Sequence, residues 1–316
     1  MLISFVIPNF NGEGILKKNL PRIIEAAGKF TKGGDKIQII LVDDCSSDNS
    51  VPVIKEIFNK YKEENMSFRL LESDVNRGFS STVNRGAKEA RGEILILLNT
   101  DVYPETNKDF FSHALRYFDD PNHFAVGFMD KSIEENGNVV LRGRGVGKWK
   151  RGFLLHRRGE VDRKNTLWVS GGSSVFRKAM WDELGGMWED IDLSYRAQKH
   201  GYTIAFEPKC VLIHEHEKGA IKKSRSHFSV QVISYRNQVQ FVWLNVTDTS
   251  LFLSHICWLP FHVLNTLSKG DFAFLLGFFS ALVRLPVILQ RRAQNRKRNV
   301  VPDKEILDEF VTETIA

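Results

Sequence analysis

The feature that most constrains this chain is an apolar run that ends abruptly in polar residues. Residues 94–98 are all aliphatic, and Asn99 and Asp101 follow before Pro104. A continuous aliphatic run after a glycine, here Gly92, is typical of a strand buried on both faces of a parallel sheet. Ligands of open α/β sheets bind beyond the carboxyl ends of the strands. We therefore expect Asn99 and Asp101 either to bind Mg²⁺ or Mn²⁺ as oxygen ligands or to cap the turn before Pro104.

The same pattern recurs earlier in the chain. Strands are predicted at residues 2–8, 37–42 and 68–71, each with a polar, often glycine-containing segment after it and then a helix. Strand-then-helix units repeated over about a hundred residues predict a parallel α/β sheet with right-handed crossovers. Ser and Asp also cap helices, but residues 43–50 hold more such side chains than one cap needs. We therefore favour nucleotide contact at this loop.

Composition sets broader limits. The 316 residues are 42% hydrophobic and 26% charged, which suits a large globular domain with an appendage. The net charge of +6 indicates an anionic partner such as a phosphate, a nucleotide or a lipid surface. The three cysteines lack metal-ligand spacing and fit a reducing compartment. Residues 1–8 are expected to form a first strand rather than a signal peptide, and no apolar segment is long enough for a confident transmembrane helix.

Residues 130–165 are rich in glycine and basic side chains. This composition predicts a mobile loop or hairpin over the site, or a surface for an anionic acceptor. Nucleic acid is not expected as a partner, because the segment has no interleaved aromatic platform and matches no nucleic-acid-binding module.

Two further clusters suggest chemistry. Glu189, Asp190 and Asp192 crowd the first turn of a predicted helix, where the helix dipole favours acids. One of them could alternatively serve as a general base, because neighbouring negative charge raises the pKa of a carboxyl group. His214 and His216 share one side of an extended segment, from which one could reach a metal or a phosphate.

The last part of the chain differs from the rest. Residues 251–267 and 272–289 are strongly apolar, and a basic cluster follows at 291–298. This order predicts a monotopic anchor on an anionic cytoplasmic leaflet. A membrane-spanning hairpin, or packing on the catalytic domain or a partner subunit, is the alternative. We divide the chain into residues 1–225 and a helical region at 226–316.

Taken in order, these motifs resemble the family-2 glycosyltransferases, in particular bacterial rhamnosyltransferase-like members. The matching segments are residues 7–12, 42–48, 76–79, 84–86, 98–102, 170–172, 188–193 and 214–216. Residues 236–243 also resemble the segment that follows the catalytic domain in this family. The resemblance implies a GT-A fold, which is a Rossmann-like, mostly parallel α/β sheet flanked by helices, here with a C-terminal helical membrane-associated appendage.

The resemblance also implies an activity, namely inverting, metal-dependent hexosyl or rhamnosyl transfer from a nucleotide-diphosphate sugar to a glycan or lipid-linked acceptor. The enzyme would assemble surface polysaccharide at the inner face of the cell membrane. Its nucleotide-sugar-binding residues would be Pro8, Asn9, Asn11, Asp43, Asp44, Asn76, Gly78, Asn84, Asn99 and Asp101. Asp101, His214 and His216 would hold Mg²⁺ or Mn²⁺.

On the acceptor side, the resemblance makes Asp190 the catalytic base and Glu189 its substitute, with Trp188 and Asp192 facing the acceptor. Trp188 would either stack on an acceptor sugar or belong to the core. Asn99 replaces the first acid of the usual Asp-x-Asp, and a single residue between Gly186 and Trp188 suggests an altered acceptor pocket. The alternatives are a nucleotidyltransferase, whose Lys-bearing N-terminal loop is missing here, and a non-catalytic sugar-nucleotide-binding membrane scaffold.

Overall fold

A mixed sheet of nine strands organises the part of the chain that the structure describes. The structure is a computed structural model, and it describes residues 1–31, 34–61, 64–105, 110–134, 136–215 and 226–313. The strands of this sheet are β1 (Leu2–Asn9), β2 (Lys36–Asp43), β3 (Met66–Glu72), β4 (Ile94–Leu98), β5 (Val102–Pro104), β6 (His123–Ile133), β7 (Val139–Arg142), β10 (Ser173–Arg177) and β11 (Thr203–Glu215).

The strand order is β3-β2-β1-β4-β10-β6-β11-β5, and β7 pairs with β6. Within the described chain, six strands run in one direction, because β10 is antiparallel to both of its neighbours while β6 and β11 are parallel to each other. The predicted mostly parallel α/β sheet is therefore confirmed. The antiparallel β5 pairs with the end of β11 and so closes the edge next to Asp101.

Helices cover both faces of this sheet. They are α1 (Glu13–Thr31), α2 (Ser50–Lys60), α3 (Phe79–Glu89), α4 (Phe110–Leu115, extended by a 3₁₀ turn at Arg116–Asp119), α5 (Lys178–Glu183) and α6 (Asp190–Lys199). Alternate residues of β4 enter two different hydrophobic cores: Ile96 packs with α1, α2 and α4, and Leu97 packs with α3, α5 and α6. The prediction that β4 is buried on both faces is confirmed.

Strand β11 is continuous, but its register with β6 shifts between Glu207 and Val211. Pro208 lies in this shifted part and has no N–H to donate to a ladder.

Two hairpins make up much of the described part of residues 130–165, and a hairpin is one of the alternatives that the sequence predicted. β6 continues into β7, and β8 (Gly145–Lys150) pairs with β9 (Phe153–Arg158) in a separate two-stranded sheet. The base of this second hairpin is fixed by Arg144, which is fully buried and ion-paired with Glu160 and Glu313. A buried arginine is tolerable only when its charge is paired in this way. The two partners tie the hairpin to the C-terminal end of the described chain.

Five helices follow the sheet in the described chain: α7 (His227–Asn245), α8 (Thr249–Lys269), α9 (Ala273–Val283), α10 (Leu285–Arg296) and α11 (Asp303–Asp308). One hydrophobic core joins Val146 and Phe153 of the hairpin with Val242, Phe274 and Ile288 of these helices. The division at residue 225 stays a prediction, and the two predicted parts share a core.

Considered one at a time, the described helices are too short or too polar to cross a bilayer. α9 and α10 reach that length and composition only as a pair, and their axes are bent by 64°.

Candidate active site

The loops after β1 and β2 are tied together at the edge of the sheet. Parallel pairing sets Asn9 beside Asp43, and the Asn9 Nδ2 donates to Asp43 Oδ1 at 2.7 Å. Ser46 donates its hydroxyl to the same oxygen at 2.6 Å and its backbone N–H to Oδ2. Asn11 accepts from the Ser47 N–H at 2.8 Å, and Pro8 is buried within β1. The structure thus brings four of the predicted donor-binding residues together in one polar ridge.

The loop after β3 joins this ridge through Asp44. The carboxylate of Asp44 is buried and accepts from the backbone N–H groups of Arg77 and Gly78, the latter at 2.8 Å. Gly78 has φ of +83°, a conformation that glycine adopts at little cost. Asn76 is exposed next to this turn. Asp44 therefore fixes the shape of this loop, and its direct nucleotide contact stays a prediction.

Asn84 has a different neighbour from the predicted one. Its Nδ2 donates to the Met187 carbonyl at 2.7 Å, and its Oδ1 accepts from the Met187 N–H at 2.9 Å. Ser80, one turn earlier on α3, donates to the Trp188 carbonyl at 2.7 Å. Because both ends of the Asn84 amide are occupied, this side chain holds the segment that leads into α6. The nucleotide contact predicted for Asn84 finds no support in these bonds.

Asn99 and Asp101 lie at the carboxyl end of β4, as the apolar run predicted. The Asn99 backbone N–H donates to the Gly172 carbonyl at 2.9 Å. Among the described residues, Asn99 Oδ1 and Asp101 Oδ1 are buried and lack a hydrogen-bond partner. Native structures rarely leave buried oxygens unsatisfied. Two such oxygens at this edge, both hard donors, fit a divalent cation that also binds a phosphate.

His214 lies between two carboxylates. Its Nδ1 is 2.9 Å from Asp130 Oδ2, and its Nε2 is 3.4 Å from Asp101 Oδ2. Burial disfavours the imidazolium, but the hydrogen bonds to Asp101 and Asp130 outweigh it and raise the pKa of His214 to about 9. The pairing of β11 with β5 positions this histidine, since His214 is opposite Val102. His216, the other predicted metal ligand, lies outside the described residues.

Within the described chain, no three His, Cys, Asp or Glu side chains form a group that could hold a metal ion alone. A cation at Asp101 would consequently need oxygen atoms from Asn99 and from a bound ligand. That requirement agrees with a metal shared between the protein and a diphosphate.

Asp190 is brought to the end of β4 by the turn at Gly171 and Gly172. The Gly171 backbone hydrogen-bonds to the Asp190 carboxylate, and a side chain at Gly171 would collide with Asp190 Oδ1. A side chain at Gly172 would collide with Asn99. The adjacent glycines therefore contact the predicted base on one side and a predicted metal-site residue on the other. Burial raises the pKa of Asp190, while Gly171 and Arg158 oppose the rise.

Glu189 precedes the helix in an extended conformation. Burial raises the pKa of its carboxyl group to about 7, with Asp190 and Asp192 adding to the rise. Asn237 of α7 donates its amide to Glu189 Oε1, and Arg236 opposes the rise. The C-terminal helices thus contribute directly to the surroundings of Glu189.

The two residues predicted to face an acceptor lie in packed surroundings. Asp192 is buried, accepts from Arg196 at 2.7 Å and accepts from Asn245 at 3.0 Å. This buried pair supports a structural role and gives the acceptor role no support. Trp188 is half-buried, and the guanidinium carbon of Arg291 lies 4.0 Å from the centre of its ring. One face of Trp188 is therefore occupied by a side chain from α10.

The sequence did not identify Asp130, Arg158 or Asn237 as site residues. Asp130 ends the apolar run of β6, the same signal that identified Asp101, and could have been found in that way. Arg158 of β9 is electrostatically coupled to Asp130 and Asp190, and its guanidinium lies 4.6 Å from the Trp168 ring centre. Neither Arg158 nor Asn237 carries a local signal, because their partners are distant in the chain.

Known proteins are similar to this chain in sequence. Residues 4–185, more than half of the chain, match the family described as Glycosyl transferase family 2. Poly-β-1,6-N-acetyl-D-glucosamine synthase of Staphylococcus aureus (strain MSSA476) is 25% identical over 238 residues, which are 71% of this chain and 52% of the synthase. The chain therefore spans about half the length of the curated relatives it matches.

Two solved structures have a similar fold. S. aureus TarS 1–349 in complex with UDP-GlcNAc has a TM-score of 0.58 at 14% identity, over 98% of this chain and 91% of TarS. Mannosyltransferase PcManGT from Pyrobaculum calidifontis, in complex with GDP-Man and Mn²⁺, has a TM-score of 0.54 at 14% identity, over 97% of this chain and 78% of that protein. These likenesses confirm the predicted GT-A fold.

The predicted resemblance rested on the order of several short motifs, and the matched range includes most of them. The sheet, the ridge at its carboxyl edge and the family match agree with one another. On this evidence the chain belongs to glycosyl transferase family 2.

Proposed function

We propose that this chain is an inverting, metal-dependent glycosyltransferase. It transfers a hexose or a rhamnose from a nucleotide-diphosphate donor to a hydroxyl of a glycan or lipid-linked acceptor in surface polysaccharide assembly. The observation that carries the proposal is the Gly171–Gly172 turn, which brings Asp190 beside Asn99 at the end of β4. This arrangement sets a base candidate next to a site for the donor diphosphate.

In this proposal Asp190 is the catalytic base. Its carboxylate takes the proton of the acceptor hydroxyl as the acceptor oxygen forms a bond to the anomeric carbon. The bond from that carbon to the diphosphate oxygen breaks on the opposite face, so the configuration inverts. The electrons of the broken bond leave with the nucleoside diphosphate. A raised pKa suits Asp190 to this role, because a base works best when its pKa lies near the working pH.

The donor diphosphate is assigned to the edge formed by Asn99, Asp101 and His214. A divalent cation, Mg²⁺ or Mn²⁺, would be held by Asp101 with help from Asn99, and it would neutralise the charge that develops on the leaving group. The unpartnered oxygens of these two residues support that assignment. The positive charge of His214, held in place by Asp130, favours an anion at the same edge.

The nucleoside is assigned to the ridge of Asn9, Asn11, Asp43 and Asp44. The acceptor is assigned to the side of Glu189 and Trp188, next to the C-terminal helices. The inner face of the cell membrane suits a lipid-linked acceptor, and we include that location in the proposal.

The proposal is tested first by product identity. The purified chain is incubated with UDP-GlcNAc, GDP-mannose or dTDP-rhamnose and Mn²⁺, with and without membrane extract, and the released products are separated. Glycosyl transfer releases a nucleoside diphosphate, whereas a nucleotidyltransferase makes or consumes a sugar 1-phosphate. Stabilisation of the chain by a sugar nucleotide, without turnover under any condition, would support the non-catalytic scaffold instead.

The base is tested with Asp190→Asn, matched to Asp182→Asn on the exposed side of α5. Loss of a general base should lower turnover by about 10²- to 10⁴-fold, and donor binding measured by thermal shift should persist. Asp182→Asn should behave as the parent chain. Loss of donor binding in Asp190→Asn would overturn the assignment.

The metal role is tested with Asp101→Asn, which removes a charge and keeps the shape. The stabilisation by UDP that Mn²⁺ adds in the parent chain should be lost, while the smaller effect of UDP alone should remain. An unchanged dependence on Mn²⁺ would refute the role of Asp101.

A further inference from the structure

One face of α8 carries apolar residues that point outward, while Leu259 and Val263 pack against the core. Leu253, Ile256, Phe261, Leu264 and Leu267 recur at helical spacing, and all of them are exposed, Leu264 by 66%. A helix at the surface of a globular protein normally turns such a stripe toward the core. We call these five residues the outer stripe. Five exposed apolar side chains on one face of a helix are more than scattered surface hydrophobics, so the outer stripe marks an interaction surface.

Helix α9 extends this surface. It is joined to α8 through residues 270–272, and it exposes Leu276, Phe279 and Val283 at intervals of three and four residues. Phe279 is exposed by 59%. The opposite side of α9 packs against α7, where Gly277 lies close to the α7 backbone. The exposed apolar residues of α9 therefore take no part in its packing against α7.

The tip of the β8–β9 hairpin adjoins the outer stripe. His255 and His262 of α8 hydrogen-bond to the carbonyls of Gly152 and Arg151, both at 2.8 Å. The Arg151 guanidinium lies 5.8 Å from the ring centre of Phe261, a member of the stripe. Arg151 and Lys150 are exposed. The hairpin thus holds two cations at the border of an apolar surface.

The positive charge of this region indicates which kind of partner the surface binds. Residues 249–298 contain seven Lys or Arg and one acid, Asp271. Lys150 and Arg151 border the stripe, so a second copy of this chain would bring like charges together there, whereas an anionic bilayer would attract them. Exposed aromatic and aliphatic side chains bordered by cations are what an interfacial helix presents to lipid.

We propose that the outer stripe, the exposed side of α9 and the hairpin tip form one surface that lies in the interface of an anionic bilayer. The apolar side chains enter the acyl boundary, and Lys150 and Arg151 contact lipid phosphates. This surface includes a hairpin that is about a hundred residues away from α8 in the chain, so it is not a property of the C-terminal helices alone. The inference is independent of the proposed transfer reaction.

The test is sedimentation of the full chain with phosphatidylcholine vesicles that contain or lack phosphatidylglycerol. The parent chain should sediment with the anionic vesicles. The double variant Leu264→Glu/Phe279→Glu should bind them at least about tenfold more weakly, because two apolar side chains are lost from the buried surface. The matched control Val139→Glu/Leu141→Glu changes exposed apolar residues of β7 and should bind as the parent does.

The hairpin is tested separately with Lys150→Gln/Arg151→Gln. Each neutralised residue should weaken binding to the anionic vesicles by about fivefold at low salt and should leave binding to pure phosphatidylcholine unchanged. Quenching of tryptophan fluorescence by brominated lipid, compared between the parent chain and Trp258→Phe, gives a second reading, since Trp258 lies beside Arg151.

Three results would overturn the proposal. They are equal vesicle binding by Leu264→Glu/Phe279→Glu and the parent, equal binding to both kinds of vesicle by the parent, and a lipid-free dimer that the double variant dissociates. Circular dichroism confirms that the variants fold. Release of nucleoside diphosphate from a soluble donor is measured in parallel, so a failure of the proposed transfer is recognised apart from a failure of this surface.

Discussion

Strand β4 and helix α8 have similarly apolar sequences and opposite surroundings. Leu97 of β4 is fully buried between two helical layers, whereas Leu264 of α8 is 66% exposed. The difference shows that an apolar pattern specifies an element and one face of it, and that the surrounding chain decides whether that face is covered. Around β4 the sheet supplies two neighbours, while the outer side of α8 has none among the described residues.

The largest expected effect is the difference in the free energy of unfolding between variants of these two leucines. Leu97→Ala should lower the free energy of unfolding by about 2–5 kcal/mol, because it leaves a cavity in a closed core. Leu264→Ala should change it by less than about 0.5 kcal/mol in lipid-free buffer. Urea denaturation of both variants measures the contrast. A large loss of unfolding free energy in Leu264→Ala would mean that the outer stripe is covered in solution. The contrast between buried β4 and exposed α8 would then be wrong.

The next effect concerns charge at the sheet edge. The pKa of His214 is about 9 in the folded chain and 6.5 in the unfolded reference, so its stabilisation is complete below pH 6.5 and is lost as pH rises through 9. This contribution is on the order of 3 kcal/mol. Urea denaturation in EDTA at several pH values should show it in the parent chain and in His227→Gln, an exposed control, but not in His214→Gln.

The smallest expected effect concerns Glu189, where α7 of the C-terminal helices contacts the candidate active site. Because Glu189 and Asp190 interact, the acid limb of the donor-turnover profile belongs to the pair, and turnover should rise as pH increases through about 7. Glu189→Gln removes a negative charge and should move this limb down by about one pH unit. Asn237→Ala removes a donor to Glu189 and should move it up by less. If the acid limb of the pH profile is unchanged in Asn237→Ala, α7 does not influence the titration of Glu189 and Asp190.

Much of the sheet and of its polar edge could be predicted, since the signals are local. The apolar runs of β1, β2 and β4 each end in Asn or Asp, and parallel strands bring those ends together. The same reasoning applied to β6 would have added Asp130. The structure places the polar residues that follow β1, β2 and β4 at one edge of the sheet, and their roles in donor, metal and base chemistry stay predictions.

Other features depend on residues far apart in the chain and could not be predicted. Asn84 has the sequence signal of a ligand-binding amide, yet its partner is the backbone of Met187, 103 residues later. Arg144 is basic and would be expected at the surface, but Glu313 and Glu160 pair with it in the interior. Periodicity does not encode such pairs, because each requires the completed packing of two distant segments.

The adjacent glycines at 171 and 172 have a consequence for attempts to change the reaction. Each presses against one functional side chain, Asp190 on one side and Asn99 on the other. A larger residue at either position would displace one of these side chains, so both positions have to stay glycine in any redesign of the proposed reaction. Changes of substrate preference have to come from other residues around the site.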